Sequence, residues 1–384
     1  MTRAFVWEDL KMKRLLAATA LAASIAMTAL TAEARELRVA PAAPPAHPAN
    51  GVMYTNFLEY LPEESDGRLT GIMIGPEVVS LLQVKDALQT QVIEVGNLLP
   101  LYFPADLPMM SVTGQLSLIG TNSQAMAAAV TEFIVNCVPC QDEMKKQRLV
   151  YLGSGASDVY EFLTTKPVRT ADDLKGLRLR SGGAPWARLA ENFGAVPVQM
   201  SVFDQFEAIS QGAIDGTMAS IADMLSFRLV EVVKYVTYAP LGLYHSTSDF
   251  TVSQVTWDSL SAEDRAAMAR AANRANVDFT HRWGSEMPAG AEQAAKDAGV
   301  ELIEADASLV SAIQDFVKAD ITTAGEYSKK EFGIADAPEQ IQTFLGLVDK
   351  WTAIAEEIGD DPAAMSARIY DEVWSKVDYA SYGS

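Results

Sequence analysis

Hydrophobic and polar positions follow a regular order between Ala171 and Ser220, and that order predicts strand, helix, strand, helix, strand. Leu177, Arg178, Leu179 and Arg180 alternate apolar and polar with period two, and Ser181-Gly182-Gly183 turns the chain. Trp186, Leu189, Ala190 and Phe193 then recur at the i, i+3, i+4, i+7 spacing of a helix, closed by Gly194. Val196-Pro197-Val198 is a short extended run. Ser201, with Asp204 at the capping-box spacing, predicts a second helix that buries Val202, Phe206 and Ile209 and stops at Gly212. Ala213 to Met218 supplies the last strand. In such a βαβαβ pattern the parallel strands place their carboxyl ends along one edge, where ligands bind. Arg180 stands at one of those ends, just before a glycine pair and a helix N-terminus. Its planar fork pairs with a carboxylate through two parallel hydrogen bonds, a geometry lysine cannot copy. The competing reading is a solvated or salt-bridged arginine that ends a strand.

The remaining pattern is consistent with the same architecture. Leu37 to Ala40 predicts a strand, followed by a Pro- and Ala-rich loop in which His47 fits a surface position better than a ligand contact. A helix around Tyr54 to Leu61 and a strand from Leu69 to Ile74 come next. Ala87-Leu88 and Val92-Ile93-Glu94-Val95-Gly96 repeat the helix-turn-strand plan of Ala208 to Thr217, which predicts that Asn97 faces Arg180 across a cleft. Gln124 to Ile134 is helical, Arg148 to Gly153 and Tyr160 to Thr165 are extended, and a helix is expected around Met224 to Val233. Tyr238 to Ser253 reads as a strand pair, with Tyr244, His245, Ser246 and Thr247 able to reach the cleft. Ser261, with Asp264, caps a long helix from Arg265 to Trp283 that would brace the molecule. The rest is helical, ends in a helix from about Pro362 to Val377, and reads as packing.

The run Asp173-Leu174-Lys175-Gly176-Leu177-Arg178-Leu179-Arg180, with Phe193-Gly194-Ala195-Val196-Pro197-Val198, Met200, Phe206-Glu207-Ala208-Ile209 and Gly212-Ala213-Ile214-Asp215-Gly216, resembles the solute-binding proteins of TRAP (tripartite ATP-independent periplasmic) transporters. Weaker similarity extends from about Glu36 to about Arg282. The resemblance implies an α/β, two-lobed periplasmic-binding-protein-like fold, each lobe a sheet flanked by helices. It implies one lobe from residues 35–157 plus about 246–285, and a second from 158–245 plus about 286–384 with the C-terminal helices. It also implies that Arg180 holds a ligand carboxylate and that membrane permease subunits are partners.

Two positions depart from the family pattern. Tyr160 stands where many members carry a second arginine, and Ala219, with Ser220 beside it, stands where they often carry an asparagine. Each buried polar group of a ligand needs a partner or costs about 1 to 3 kcal/mol, so the expected ligand has fewer anionic or hydroxyl groups than a sugar acid. A monocarboxylate with an apolar, aromatic or cationic end fits best. The candidate ligand-binding residues are Arg180, Tyr160, Asn97, Ser220, Tyr244 and His245. Of the other aromatic residues, Trp186 lies on the apolar face of its helix and reads as core, while Phe203 is close to the proposed cleft. Clustered rings could also hold a quaternary ammonium or sulfonium group.

Composition sets the outer bounds. The 384 residues suffice for two cores, and 49% hydrophobic with 21% charged residues is an ordinary globular balance. A formal charge of -20 argues against nucleic acid or an anionic membrane as partner. It does not exclude an anionic ligand, because bulk charge is screened beyond roughly 8 Å at physiological ionic strength. Met12-Lys13-Arg14, an apolar run of about 16 residues and Ala32-Glu33-Ala34 form a secretory signal peptide over residues 1–34, so a periplasmic location is expected. Acidic Glu8 and Asp9 fit that signal poorly, which leaves Met12 as a second candidate start.

Three readings compete for Cys137-Val138-Pro139-Cys140. In an exported protein with 2 cysteines a local disulfide is expected. A redox pair would sit between a strand and a helix, and a zinc site needs four ligands. No G-x-S-x-G, H-E-x-x-H, Walker or G-x-G-x-x-G motif occurs, and His47, His245 and His281 are scattered. No enzyme activity and no cofactor are therefore expected. The function expected first is a receptor that closes on an organic anion and delivers it to a TRAP-type permease. The alternatives are a thiol-disulfide oxidoreductase using Cys137 and Cys140, and a sensor subunit docking on a membrane kinase.

Overall fold

The computed structural model describes residues 34–384; apart from Ala34, the expected signal peptide lies outside them. The strands are β1 (Arg35–Ala40), β2 (Leu69–Met73), β3 (Val95–Leu98), β4 (Leu149–Tyr151), β5 (Tyr160–Thr164), β6 (Arg178–Ser181), β7 (Val196–Gln199), β8 (Gly216–Ser220), β9 (Tyr235–Tyr238), β10 (Ser248–Ser253) and β11 (Glu301–Glu304). They form two sheets, ordered β2-β1-β3-β10-β4 and β11-β9-β5-β8-β6-β7, each flanked by helices in a two-lobed α/β architecture.

The register of these sheets decides where a site can be. In the first sheet β1 runs parallel to β3, and β10 runs antiparallel with Ser248 opposite Leu98. The amino end of β10 therefore lies beside the carboxyl ends of β1 and β3. In the second sheet β6 and β8 are parallel, and β5 runs antiparallel to β8 with Tyr160 opposite Ser220. Tyr160 thus shares an edge with Arg180 although it begins its strand.

Six helices complete the frame needed here: α1 (Ser123–Asn136), α2 (Val138–Lys146), α3 (Ala184–Asn192), α4 (Ala262–His281), α5 (Ala307–Phe332) and α6 (Ala337–Ile358). Asn122 Oδ1 accepts from Ala125 N at 2.9 Å to start α1, and Ser261 Oγ accepts from Asp264 N at 3.1 Å to start α4. Ala267, Ala269, Ala271, Ala272 and Ala275 are all buried on α4, which is enclosed on several sides at once. Arg270 and Arg274 each reach Glu64 at 2.7 Å and tie α4 to the helix Thr55–Glu64. α6 lies along α1 through Phe344 on Phe133 and through Lys350 and Trp351 Nε1 on Glu132.

Two expectations need correction. The stretch from Tyr238 to Ser253 is not a strand pair: β9 and β10 belong to different sheets, and residues 239–247 carry the chain between them. That segment is buried like a strand but is hydrogen-bonded to its neighbours outside either ladder. Leu243 N donates to Ser117 O, Tyr160 N to Gly242 O and Ser157 N to Tyr244 O. Gly242 has φ 71°, and a Cβ there would lie 2.0 Å from Ser117 O, so only glycine fits. The helix expected from Met224 to Val233 ends at Ser226, because Arg228 adopts the left-handed conformation (φ 58°) before a short turn over Leu229–Glu231.

Candidate ligand-binding site

The converging strand ends enclose a cavity with about 60 Å³ of space for the centres of water-sized molecules. From the first sheet come Ala42 and Ala43 after β1, Asn97 and Leu99 around the end of β3, and Asp249 at the start of β10. From the second sheet come Tyr160, Arg180 and, just after β8, Asp223. The crossing segment adds Tyr244 and Thr247.

Arg180 is 2% exposed, and its guanidinium is braced rather than free. Nε donates to Met200 O at 3.2 Å and Nη2 donates to Tyr102 Oη at 2.9 Å. Burial disfavours its charge, but Tyr102, Tyr160, Asp223 and Tyr244 around it outweigh that and keep it protonated. Gly182 lies against it, since a Cβ at that residue would sit 3.3 Å from Nη1. Tyr160 and Tyr244 are held by Trp186: its ring stacks 4.8 Å from Tyr160 and 5.9 Å from Tyr244, and its Nε1 donates to Leu241 O at 3.0 Å. Trp186 itself is fully buried and does not line the cavity. Burial keeps both tyrosines neutral by raising them well above their ordinary value.

Of the six residues singled out from sequence, the structure brings Arg180, Tyr160, Asn97 and Tyr244 together. Ser220 and His245 are corrections. Ser220 Oγ accepts from Ala222 N at 3.0 Å and turns the chain after β8, away from the cavity. His245 Nε2 pairs with Thr113 O at 3.0 Å beside Phe344, behind the cavity wall. His47 is the opposite correction: it is 8% exposed and lines the cavity. Its ring is 5.1 Å from Trp283 and 5.5 Å from Phe227, and long-range packing of those rings decides what the local prolines could not. Burial lowers His47 to about 3, so the imidazole is neutral. Its Nδ1 accepts from Ala49 N at 3.1 Å, which puts the proton on Nε2.

The sequence reading also missed Tyr102, Asp223, Asp249, Phe279 and Trp283 in the cavity wall. Burial pushes Asp223 up to about 7, against the pull of Arg180, and pushes Asp249 up to about 8. Thr247 and the Gly155 amide are near Asp249 but satisfy each other. Gly155 N donates to Thr247 Oγ1 at 2.9 Å and Thr247 Oγ1 donates to Gly155 O at 3.2 Å. Both Asp249 side-chain oxygens are left without a hydrogen-bond partner, as are Asn97 Oδ1, Asp223 Oδ1, Tyr244 Oη and Trp283 Nε1. Away from the cavity, Cys137 and Cys140 are joined as a disulfide between α1 and α2, and Cys137 Sγ accepts from Cys140 N.

Residues 39–327 match the model of the DctP family, bacterial extracellular solute-binding protein, family 7. This chain belongs to that family. The resemblance carried by Asp173 to Gly216 is thereby borne out. Its similar relatives include a solute-binding protein of Chromohalobacter salexigens, 27% identical over 169 residues, 43% of this chain and 49% of the relative. Another is the C4-dicarboxylate-binding periplasmic protein DctP of Rhodobacter capsulatus, 29% identical over 134 residues, 35% and 39% of the two chains. The chain matches about half the length of these curated relatives or less. Among solved structures, a TRAP solute-binding protein from Rhodoferax ferrireducens with copurified benzoate superposes with a TM-score of 0.74 at 20% identity, covering 84% of this chain and 99% of that one. One from Bordetella bronchiseptica, with bound (R)- and (S)-mandelate, gives 0.70 at 23% identity, covering 82% and 99%. Likeness at that level speaks for the fold of this solute-binding protein.

Proposed function

We propose that this protein is an exported, periplasmic receptor that captures a small organic carboxylate at Arg180, closes on it and delivers it to a TRAP-type permease. The single observation that carries the reading is Arg180 itself: a fully buried, charged guanidinium at a strand end, facing a cavity with donors to spare. Of its five N–H groups, Nε and one on Nη2 are taken by Met200 and Tyr102. Those that remain suit a carboxylate. Benzoate in one structural neighbour and mandelate in another support that ligand class.

Closure follows from the placement of the contacts. Lobe one is taken as residues 35–157 plus about 246–285, and lobe two as 158–245 plus about 286–384. Arg180, Tyr160 and Asp223 then belong to one lobe, and Asn97, His47 and Asp249 to the other. A solute touching both sets gains contacts in the closed state alone and so shifts the population toward it. A permease would read that closed shape.

The test is a thermal-shift screen against small carboxylates, benzoate and mandelate included, followed by calorimetry on whichever stabilises the protein. Arg180→Ala is expected to weaken binding at least about tenfold. Equal affinity in the variant would remove Arg180 from the site.

A further inference from the structure

We infer that the solute is a zwitterion, a carboxylate that also carries an N–H-bearing cation such as an ammonium or guanidinium, with the cation seated at Asp249 against the surrounding rings. This rests on the carboxylate reading above and adds a second pole to it.

The argument begins with the unpartnered atoms. Asn97 Oδ1, Asp223 Oδ1 and both Asp249 oxygens are acceptors, while Trp283 Nε1 is a donor and Tyr244 Oη can act as either. All these residues line the one cavity. A plain monocarboxylate brings acceptors alone. It would serve Arg180, Trp283 and any carboxyl proton, and leave Asn97 Oδ1 and the accepting oxygens of Asp223 and Asp249 unanswered, a cost for each buried group. The solute must therefore bring donors.

Charge decides what kind of donor. Asp223 lies close enough to Arg180 for the guanidinium to favour its ionised form. Asp249 is fully buried at the start of β10, on the first sheet's side, and no basic side chain contributes to its titration. Thr247 and the Gly155 amide favour its ionised form but bond to each other, and the nearby Tyr54 and Tyr151 spend their hydroxyls on Asp249 O and Ser154 Oγ. In the empty site burial holds the proton on this carboxyl, and a cation brought by a ligand would displace that proton and pair with the carboxylate.

The walls around it suit a cation. A methyl group built on Gly155 would meet Phe279 Cδ1 at 2.6 Å and Asp249 Oδ2 at 2.8 Å, so carboxyl and ring pack side by side against that glycine. Phe279 stacks 5.2 Å from Trp283, and His47 lies 5.1 Å from Trp283. Aromatic faces beside a carboxylate hold a desolvated cation from two sides. A hydroxyl on the solute would donate one hydrogen bond but brings no charge to displace the carboxyl proton.

The experiment compares acids that differ by the amine alone: β-alanine, γ-aminobutyrate and δ-aminovalerate against propionate, butyrate and valerate. It adds meta-(aminomethyl)benzoate against meta-toluate and guanidinoacetate against acetate. On the intact mature protein, calorimetry is expected to show at least one aminated member binding about tenfold or more tighter than its partner. Asp249→Asn keeps the shape of the side chain but not its charge, so it should erase most of that gap. The inference is overturned if every deaminated acid binds as well as its partner, or if Asp249→Asn retains the preference. If simple acids bind through Arg180 without any gain from the amine, the zwitterion fails and the carboxylate receptor stands. If no acid of either kind stabilises the protein, both fail together.

Discussion

Tyr102 joins the two sides of the cavity through one oxygen. Its Oη accepts from Arg180 Nη2 at 2.9 Å and from Val202 N at 3.3 Å, although Tyr102 itself follows β3 in the other sheet. Tyr102→Phe removes the acceptor of both bonds while keeping the ring. With hydrogen bonds to charged groups worth about 1.5 to 3 kcal/mol, the variant should release a bound carboxylate about tenfold faster in stopped-flow measurements. An unchanged release rate would show that this hydroxyl has no part in holding the closed state. Arg180 was legible because a period-two run ending before Gly182-Gly183 fixes both its strand and its edge. Tyr102 was not, since Pro100-Leu101-Tyr102-Phe103 reads as an apolar run with nothing to mark one hydroxyl. Asp223 and Asp249 were hidden among 50 acidic residues; Asp223 interrupts the apolar run Ile221-Ala222-Met224-Leu225, whereas Asp249 follows the polar Ser246-Thr247-Ser248 and carries no such signal. His47 was misread because proline-rich context reports a loop and says nothing about the rings that later cover it.

Elements, more than side chains, were what the pattern foretold. The strand-helix-strand-helix-strand order over 171–220 appears as β6, α3, β7, the helix Gln205–Ser210 and β8. Caps at Ser261 and glycine stops at Gly194 and Gly212 act locally and are local in sequence. The crossing segment 239–247 was not legible as such, because burial on all sides imitates a strand while its partners are 55 to 132 residues away. α3 is fixed by a similarly distant contact. Arg188 Nε and Nη2 pair with Asp320 of α5 at 2.7 and 2.8 Å, and the same guanidinium reaches Gln115. Both partners are largely buried, so Arg188→Ala would strand Asp320 and should cost about 3 kcal/mol in urea unfolding. A change within about 0.5 kcal/mol would mean that water replaces the pair. The disulfide between α1 and α2 makes the opposite case. It closes a loop so short that Cys137→Ala with Cys140→Ala should cost about 2 kcal/mol. Solute affinity should survive that double substitution, whereas a thiol-dependent function would lose its activity.

At the scale of the whole molecule, carboxyls buried without an ion pair make stability depend on pH in a direction opposite to those held by hydrogen bonds and cations. Burial raises Asp158 to about 8, Glu161 to about 9, Asp223 to about 7 and Asp249 to about 8. Each binds its proton more tightly folded than unfolded. Its contribution is therefore fully present below the unfolded value near 4 and is lost as pH rises through 7 to 9. Asp173 and Asp215 run the other way: hydrogen bonds from Arg169 and Thr170 to the first, and from Arg178 to the second, lower them. Their contribution is present above about pH 4 and lost as pH falls further. The two groups together place the maximum on the mildly acidic side, and the formal charge of -20 adds self-repulsion as more carboxyls ionise. Without solute, the melting temperature near pH 5.5 should exceed that near pH 8.5 by about 3 °C or more, as scanning calorimetry would read it. Asp249→Asn removes one of the responsible groups and should flatten the decline. A wild-type curve that rises from pH 5.5 to 8.5 would mean that these carboxyls are not buried as described, and the charge argument for the cavity would fall with it.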